Sequence, residues 1–160
     1  MSDRLTFTLH ELIAELDAFA DAALQTGWGV TFNHFQFLAV LYDHEPVDMT
    51  TLARCLGVTK AAVSKRVPAL VEDGWITAVS QPGAGRSILL SLTDKGTALV
   101  RDAGEVLERE FAAMLTHPSL AGDPIDAPRL NAQLVALTAF IQQQPAPGPG
   151  AAHHPQETLA

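Results

Sequence analysis

The stretch from Asp48 to Thr93, DMTTLARCLGVTKAAVSKRVPALVEDGWITAVSQPGAGRSILLSLT, constrains the fold most tightly, because it reads as helix, tight corner, helix and then a two-stranded hairpin. Asp48 opens the first helix as an N-cap whose carboxylate can accept from the orphan N–H groups of the first turn. Leu52, Ala53 and Leu56 form that helix's inward stripe. Gly57 supplies a corner free of Cβ strain, and Thr59 follows as N-cap of the second helix. Val63, Val67, Leu70 and Val71 recur at helical spacing, so one face of the second helix is committed to a core. The opposite arc holds Ala61, Lys65, Pro68 and Ala69, with Ala62 and Ser64 at its margins and Lys60 in the first turn. Small residues let a backbone approach base edges, and the cations and Ser64 can donate to bases or phosphates. Pro68 deletes the N–H that would bond the Ser64 carbonyl, at about 3 kcal/mol in an ordinary helix interior, so a kink is expected there.

Asp73-Gly74 closes the helix, and Trp75 to Ser80 and Ser87 to Leu92 read as strands. Between them Pro82-Gly83 suits the centre of a type II turn, and Arg86 is the one charge on the hairpin, placed for a phosphate or a minor groove. The whole unit is a winged helix-turn-helix, expected to span about residues 31–93. Its candidate DNA-contacting residues are Arg54, Thr59, Lys60, Ala61, Ser64, Lys65, Arg66, Arg86 and Ser87. The alternative use of such a unit is a protein-interaction module without DNA binding, against which the cation-bearing outer face argues.

These residues resemble the MarR family of bacterial transcription regulators. The resemblance lies in LARCLGVTKAAVSKRV for the helices, ALVEDGWI for the exit into the first strand, and RSILLSLTDKG for the second strand and the helix after it. It covers about residues 5–143 and implies a homodimer on a palindromic operator, often released by a small ligand or an oxidant. The family usually has an acidic residue two positions before the wing arginine and another arginine between them; here those places hold Ala84 and Gly85.

Net charge fits such a role only when divided along the chain. The segment 48–86 carries +2 and the remainder −10, against −8 overall. Local cations decide how many phosphates are neutralised, while the acidic body discourages misplaced binding.

The rest of the chain supplies helices. Thr8-Leu9-His10-Glu11 reads as a capping box, with Phe7 and Leu12 as a staple, opening a helix over about 8–26 with the stripe Leu9, Leu12, Ile13, Leu16, Phe19, Ala20, Ala23 and Leu24. Thr31 caps a second helix with an aromatic-rich face of Phe32, Phe35, Leu38, Ala39 and Tyr42, ending before Pro46. Thr93 caps a long helix over about 94–116. Asp126 caps a last one over about 126–144, with Leu130, Leu134, Leu137 and Ile141 inward and Pro128 in its tolerated first turn. The fold class is therefore mainly α with a small β-hairpin wing, a winged helix-turn-helix plus a helical dimerisation layer of the first, fifth and sixth helices. Residues 1–144 are read as one domain and 145–160, PAPGPGAAHHPQETLA, as a disordered tail.

One cysteine, Cys55, excludes an internal disulfide framework and is read as small core filling. No signal peptide or membrane span is expected, which points to a cytoplasmic protein. His10, His34, His44 and His117 lack paired metal-ligand spacing, and no metal or cofactor is expected. There is no Gly-rich phosphate loop, HExxH or nucleophile elbow, so an enzyme is not expected. Where the family often has an effector cavity, His10, Trp28, Phe32, His34, Phe35 and Tyr42 are the candidate lining, which would suit an aromatic or phenolic ligand.

Overall fold

The computed structural model describes residues 4–80, 87–120, 122 and 124–144. Its elements run α1 (Leu5–Trp28), α2 (Phe32–His44), β1 (Val47–Asp48), α3 (Met49–Leu56), α4 (Lys60–Glu72), β2 (Ile76–Ser80), β3 (Ile88–Leu92), α5 (Asp94–Leu115), a short 3-10 turn (Pro118–Leu120) and α6 (Ala127–Gln142). Two units are distinguished, one through Phe111 and one from Ala112 onward. The turn at Pro82-Gly83, Arg86 and the tail 145–160 lie outside the described residues. No described helix is long and apolar enough to cross a membrane.

Most helix starts follow from short polar side chains. Thr31 accepts from the His34 N–H at 3.2 Å, and Thr59 from the Ala62 N–H at 3.2 Å. Asp126 accepts from the Arg129 N–H at 3.0 Å. Asp48 accepts from the N–H groups of Thr50 (2.8 Å) and Thr51 (3.0 Å) and from the Thr51 hydroxyl (2.9 Å). Bonds from Thr51 are the main reason its carboxyl lies below the usual carboxylate range. Gly57 takes the left-handed conformation, φ 66°, that the corner between α3 and α4 requires.

The first helix departs from the expected start. The Thr8 capping box lies inside α1, because the Arg4 carbonyl already accepts from the N–H groups of Phe7 and Thr8 at 2.9 and 3.1 Å and carries the helix one turn further. Its end is also later, at Trp28. Only Ala20 and Leu24 of its stripe are buried; Leu12, Ile13 and Phe19 remain exposed in the single chain. The Asp21 carboxylate joins α1 to α2, accepting from the Phe32 N–H at 2.7 Å at the positive end of the second helix.

The sheet has three strands, in the order β1-β3-β2, all antiparallel. The sequence does not announce β1. Two residues suffice for it because Val47 pairs with Leu90 and Asp48 with Leu89. Leu90, flanked by Val47 and by Ala78, is fully buried. The Glu45 carboxylate accepts from the Leu92 N–H at 2.5 Å, tying the loop before β1 to the end of β3. The core of this unit contains Leu24, Phe37, Leu38, Leu41, Leu52, Val63, Ile76 and Leu90, each essentially inaccessible. Val63, Val67 and Leu70 bury the inner stripe of α4, whereas Val71 is exposed. The helix continues through Pro68 to Glu72, and the proline lies on the exposed face.

The start of α5 is closely fitted. The Thr93 hydroxyl donates to the Gly74 carbonyl at 2.7 Å and accepts from the Gly96 N–H at 3.1 Å, so the expected cap is present. The Lys95 ammonium lies 3.7 Å above the Trp75 ring and donates to the Asp73 carbonyl at 2.8 Å. Gly96 sits so near Trp75 that an added Cβ would meet that residue's carbonyl oxygen. The LTDKG run is thus a joint between β3, β2 and α5.

In the second unit, α6 has no buried residue, and Leu134, Val135, Leu137, Phe140 and Ile141 are all exposed.

Candidate nucleic-acid interface and cavity

Burying Val63, Val67 and Leu70 turns the other side of α4 outward, and Lys60, Ala61, Ser64 and Lys65 are all exposed there. Lys60, Ser64 and Ser87 converge with Asp48 and Thr50 on a cleft of about 260 Å³ between the start of α3, the face of α4 and β3. Asp48 brings a negative charge to that cleft, but its oxygens are already turned to Thr50 and Thr51. Thr50 is an addition to the residues named from sequence; its signal is its place one residue into a capped helix beside the sheet. Arg54 is exposed on α3, whereas Thr59 spends its hydroxyl oxygen on the cap. Arg86 lies outside the described residues.

Arg66 is placed differently from its neighbours. Its guanidinium donates to the Asn33 side-chain oxygen at 2.7 Å and to the Asn33 carbonyl at 2.8 Å, and lies 4.7 Å over the Phe37 ring. Partial burial lowers its pKa from the ordinary value. It braces α4 against α2 and is not presented as a free cation in the way Lys65 is.

Cys55 is exposed on α3, which corrects its reading as core filling. On an eight-residue helix the buried arc is taken by Leu52 and Ala53, and Cys55 is turned away from it. Among the described residues no group of three or more His, Cys, Asp or Glu is placed to hold a metal ion.

The first unit also holds a cavity of about 390 Å³ between α1, α2 and α5. Phe32, Phe35, Ala39 and Tyr42 line it from one face of α2, at the helical spacing that brings them together. Phe19 from α1 and Phe111 from α5 complete an aromatic wall, so four of the chain's seven phenylalanines and its single tyrosine meet here. Three of the six residues expected at a cavity are elsewhere. His10 is exposed on α1. Trp28 lines a separate hollow of about 220 Å³ with Trp75, Lys95 and Asp102. His34, two positions from Phe32, is turned to the other side of α2 and meets Trp75 edge-on, ring centroids 5.1 Å apart.

The His34 Nε2 atom is buried and has no hydrogen-bond partner among the described residues. Burial, with Arg66 and Lys95 nearby, outweighs Asp73 and holds the imidazole pKa below its ordinary 6.5. The unfolded chain therefore takes up this proton before the folded one does. Stability from the neutral ring is fully present above 6.5 and is lost as pH falls from there towards the folded value. The melting temperature of the parent is expected to drop between about pH 8 and about pH 5, and His34→Phe, which keeps an aromatic edge without a titrating nitrogen, to flatten part of that drop. Thermal melts of both proteins across this range check it; parallel curves would show that His34 does not carry the dependence.

A buried-backed helix with an outward polar face, a strand-paired wing and a capped corner define a winged helix-turn-helix protein. Residues 28–87 match the model of the MarR family, to which this segment of the chain is similar. The uncharacterized HTH-type transcriptional regulator YvnA of Bacillus subtilis is 36% identical over 76 residues, 48% of this chain and 47% of YvnA. The chain spans about half the length of the curated relatives it matches. Among solved structures, wild-type MarR from E. coli aligns with a TM-score of 0.69 at 18% identity, covering 88% of this chain and 98% of MarR. FabT of Streptococcus pneumoniae, solved in complex with DNA, aligns with a TM-score of 0.64 at 19% identity, covering 87% of this chain and 94% of FabT.

Proposed function

We propose that the chain is a ligand-responsive repressor that binds a palindromic operator in double-stranded DNA as a homodimer. The observation that carries this reading is the outward face of α4, where Lys60, Ala61, Ser64 and Lys65 stand exposed beside the cleft shared with Ser87. Small residues and cations on one helix face suit a major groove, and the adjoining hairpin suits the backbone or minor groove next to it. FabT, of the same fold, has been solved with DNA, which supports the assignment. The exposed apolar residues of α1 and, separately, of α6 supply surface for a second copy. Two-fold symmetry then requires half-sites about one helical turn, roughly 34 Å, apart. The aromatic cavity serves as the effector site, and a ligand there controls DNA binding only insofar as it prefers one of the two states.

The test is selection of bound duplexes from a random pool, followed by titration of the winning sequence and a scrambled control at several salt concentrations. An inverted repeat with half-sites one turn apart is the expected result, with affinity falling steeply as salt rises. Failure to retain any duplex at low salt would replace the reading with a protein-interaction module, and retention of sequences without symmetry would remove the homodimer on a palindrome.

A further inference from the structure

The charge of the aromatic cavity is one-sided. Asp17, Asp43 and Glu108 reach it from α1, α2 and α5, and none of the residues lining it is a lysine, arginine or histidine. Among the described residues none of these three carboxylates forms an ion pair or accepts a side-chain hydrogen bond. All three are exposed, so they stand at the rim while the aromatic rings form the walls. We propose that the cavity takes a small aromatic organic cation, an amine or quaternary ammonium, and disfavours aromatic acids. This rests on the reading of the cavity as an effector site and assigns the ligand's class.

Three arguments support the assignment. A volume of about 390 Å³ falls in the range of small-molecule sites. Aromatic faces attract a cation through their quadrupoles, and the attraction grows where water is excluded. The rim carboxylates add Coulomb attraction for a cation and repulsion for a carboxylate or phenolate, with no cationic side chain among the lining residues to reverse the sign. Of the polar groups that could hold a phenolic ligand, His10 and His34 are absent from the lining, Asn33 is bonded to Arg66, and Tyr42 is the one that lines the cavity.

The test is calorimetric titration of the full chain, without DNA, with three probes of similar size: benzyltrimethylammonium, its uncharged carbon isostere neopentylbenzene, and phenylacetate. Benzyltrimethylammonium is expected to bind about tenfold or more tightly than phenylacetate, with the neutral probe between them. The triple variant Asp17→Asn, Asp43→Asn, Glu108→Gln is expected to cut the cation's advantage to about threefold or less and to leave neopentylbenzene unchanged. The substituted groups are exposed, so the variant is expected to melt like the parent, and a melt accompanies each titration. Binding of all three probes with equal affinity, tighter binding of phenylacetate, or an unchanged preference in the triple variant would overturn the cation assignment alone. No binding of any probe, as when a second copy fills the cavity, would overturn the effector site together with it.

Discussion

Gly96→Ala is expected to lower the melting temperature by about 2 to 12 °C, from an overpacking cost of about 1–3 kcal/mol in a chain of this size. The added methyl would be driven against the Trp75 carbonyl oxygen, with the Leu92 Cδ2 at 3.2 Å and the Trp75 carbonyl carbon at 3.4 Å behind it. That oxygen cannot retreat freely. It already accepts from the Thr93 N–H at 3.0 Å and lies 3.1 Å from the Thr93 hydroxyl oxygen. Gly27→Ala, in α1 with nothing within 4 Å of its added Cβ, provides the control. There alanine is expected to raise stability by about 0.5–1 kcal/mol through helix propensity. Differential scanning calorimetry of the two variants checks both signs, and a Gly96→Ala protein that melts with the parent would show that the joint at Trp75 can open without cost.

The second large effect is on DNA. Lys65→Ala is expected to cost about 1–3 kcal/mol per half-site on the operator and much less on scrambled duplex, as removal of a base-reading donor would. Lys60→Ala, near the positive end of α4 and on the cleft with Ser64 and Ser87, is expected to weaken both duplexes alike. Its salt slope should fall by about 0.9 for each phosphate that the variant no longer neutralises. Titration of both duplexes over a salt series separates the two lysines. Equal losses on operator and scrambled DNA for Lys65→Ala would sink its role as a base reader.

What could be read from residues alone was local. Thr31, Asp48, Thr59, Thr93 and Asp126 cap the helices that the sequence assigns to them, because a cap is a bond between neighbours two or three positions apart. The capping box at Thr8 failed for the same local reason, since an earlier carbonyl at Arg4 offered the helix a competing start. β1 could not be seen in two residues, as its pairing partners Leu89 and Leu90 lie some forty positions away. Arg66 carries the same charge as Lys65 in the sequence, and only folding brings it to Asn33 and Phe37. The cavity was half legible: helical phase gathers Phe32, Phe35 and Tyr42, but the carboxylates that set its sign come from three helices brought together in space.

The Lys95, Trp75 and Gly96 contacts also have a mechanical meaning. They fasten one end of α5 to the exit of α4 and the first strand of the wing, so these pieces are coupled like a lever to its load. At 1.5 Å per residue the 22 residues of α5 make an arm of about 33 Å. A tilt of roughly 5° about its far end would sweep the Trp75 end through ~3 Å, close to the rise of one base pair, with no bond at the joint broken.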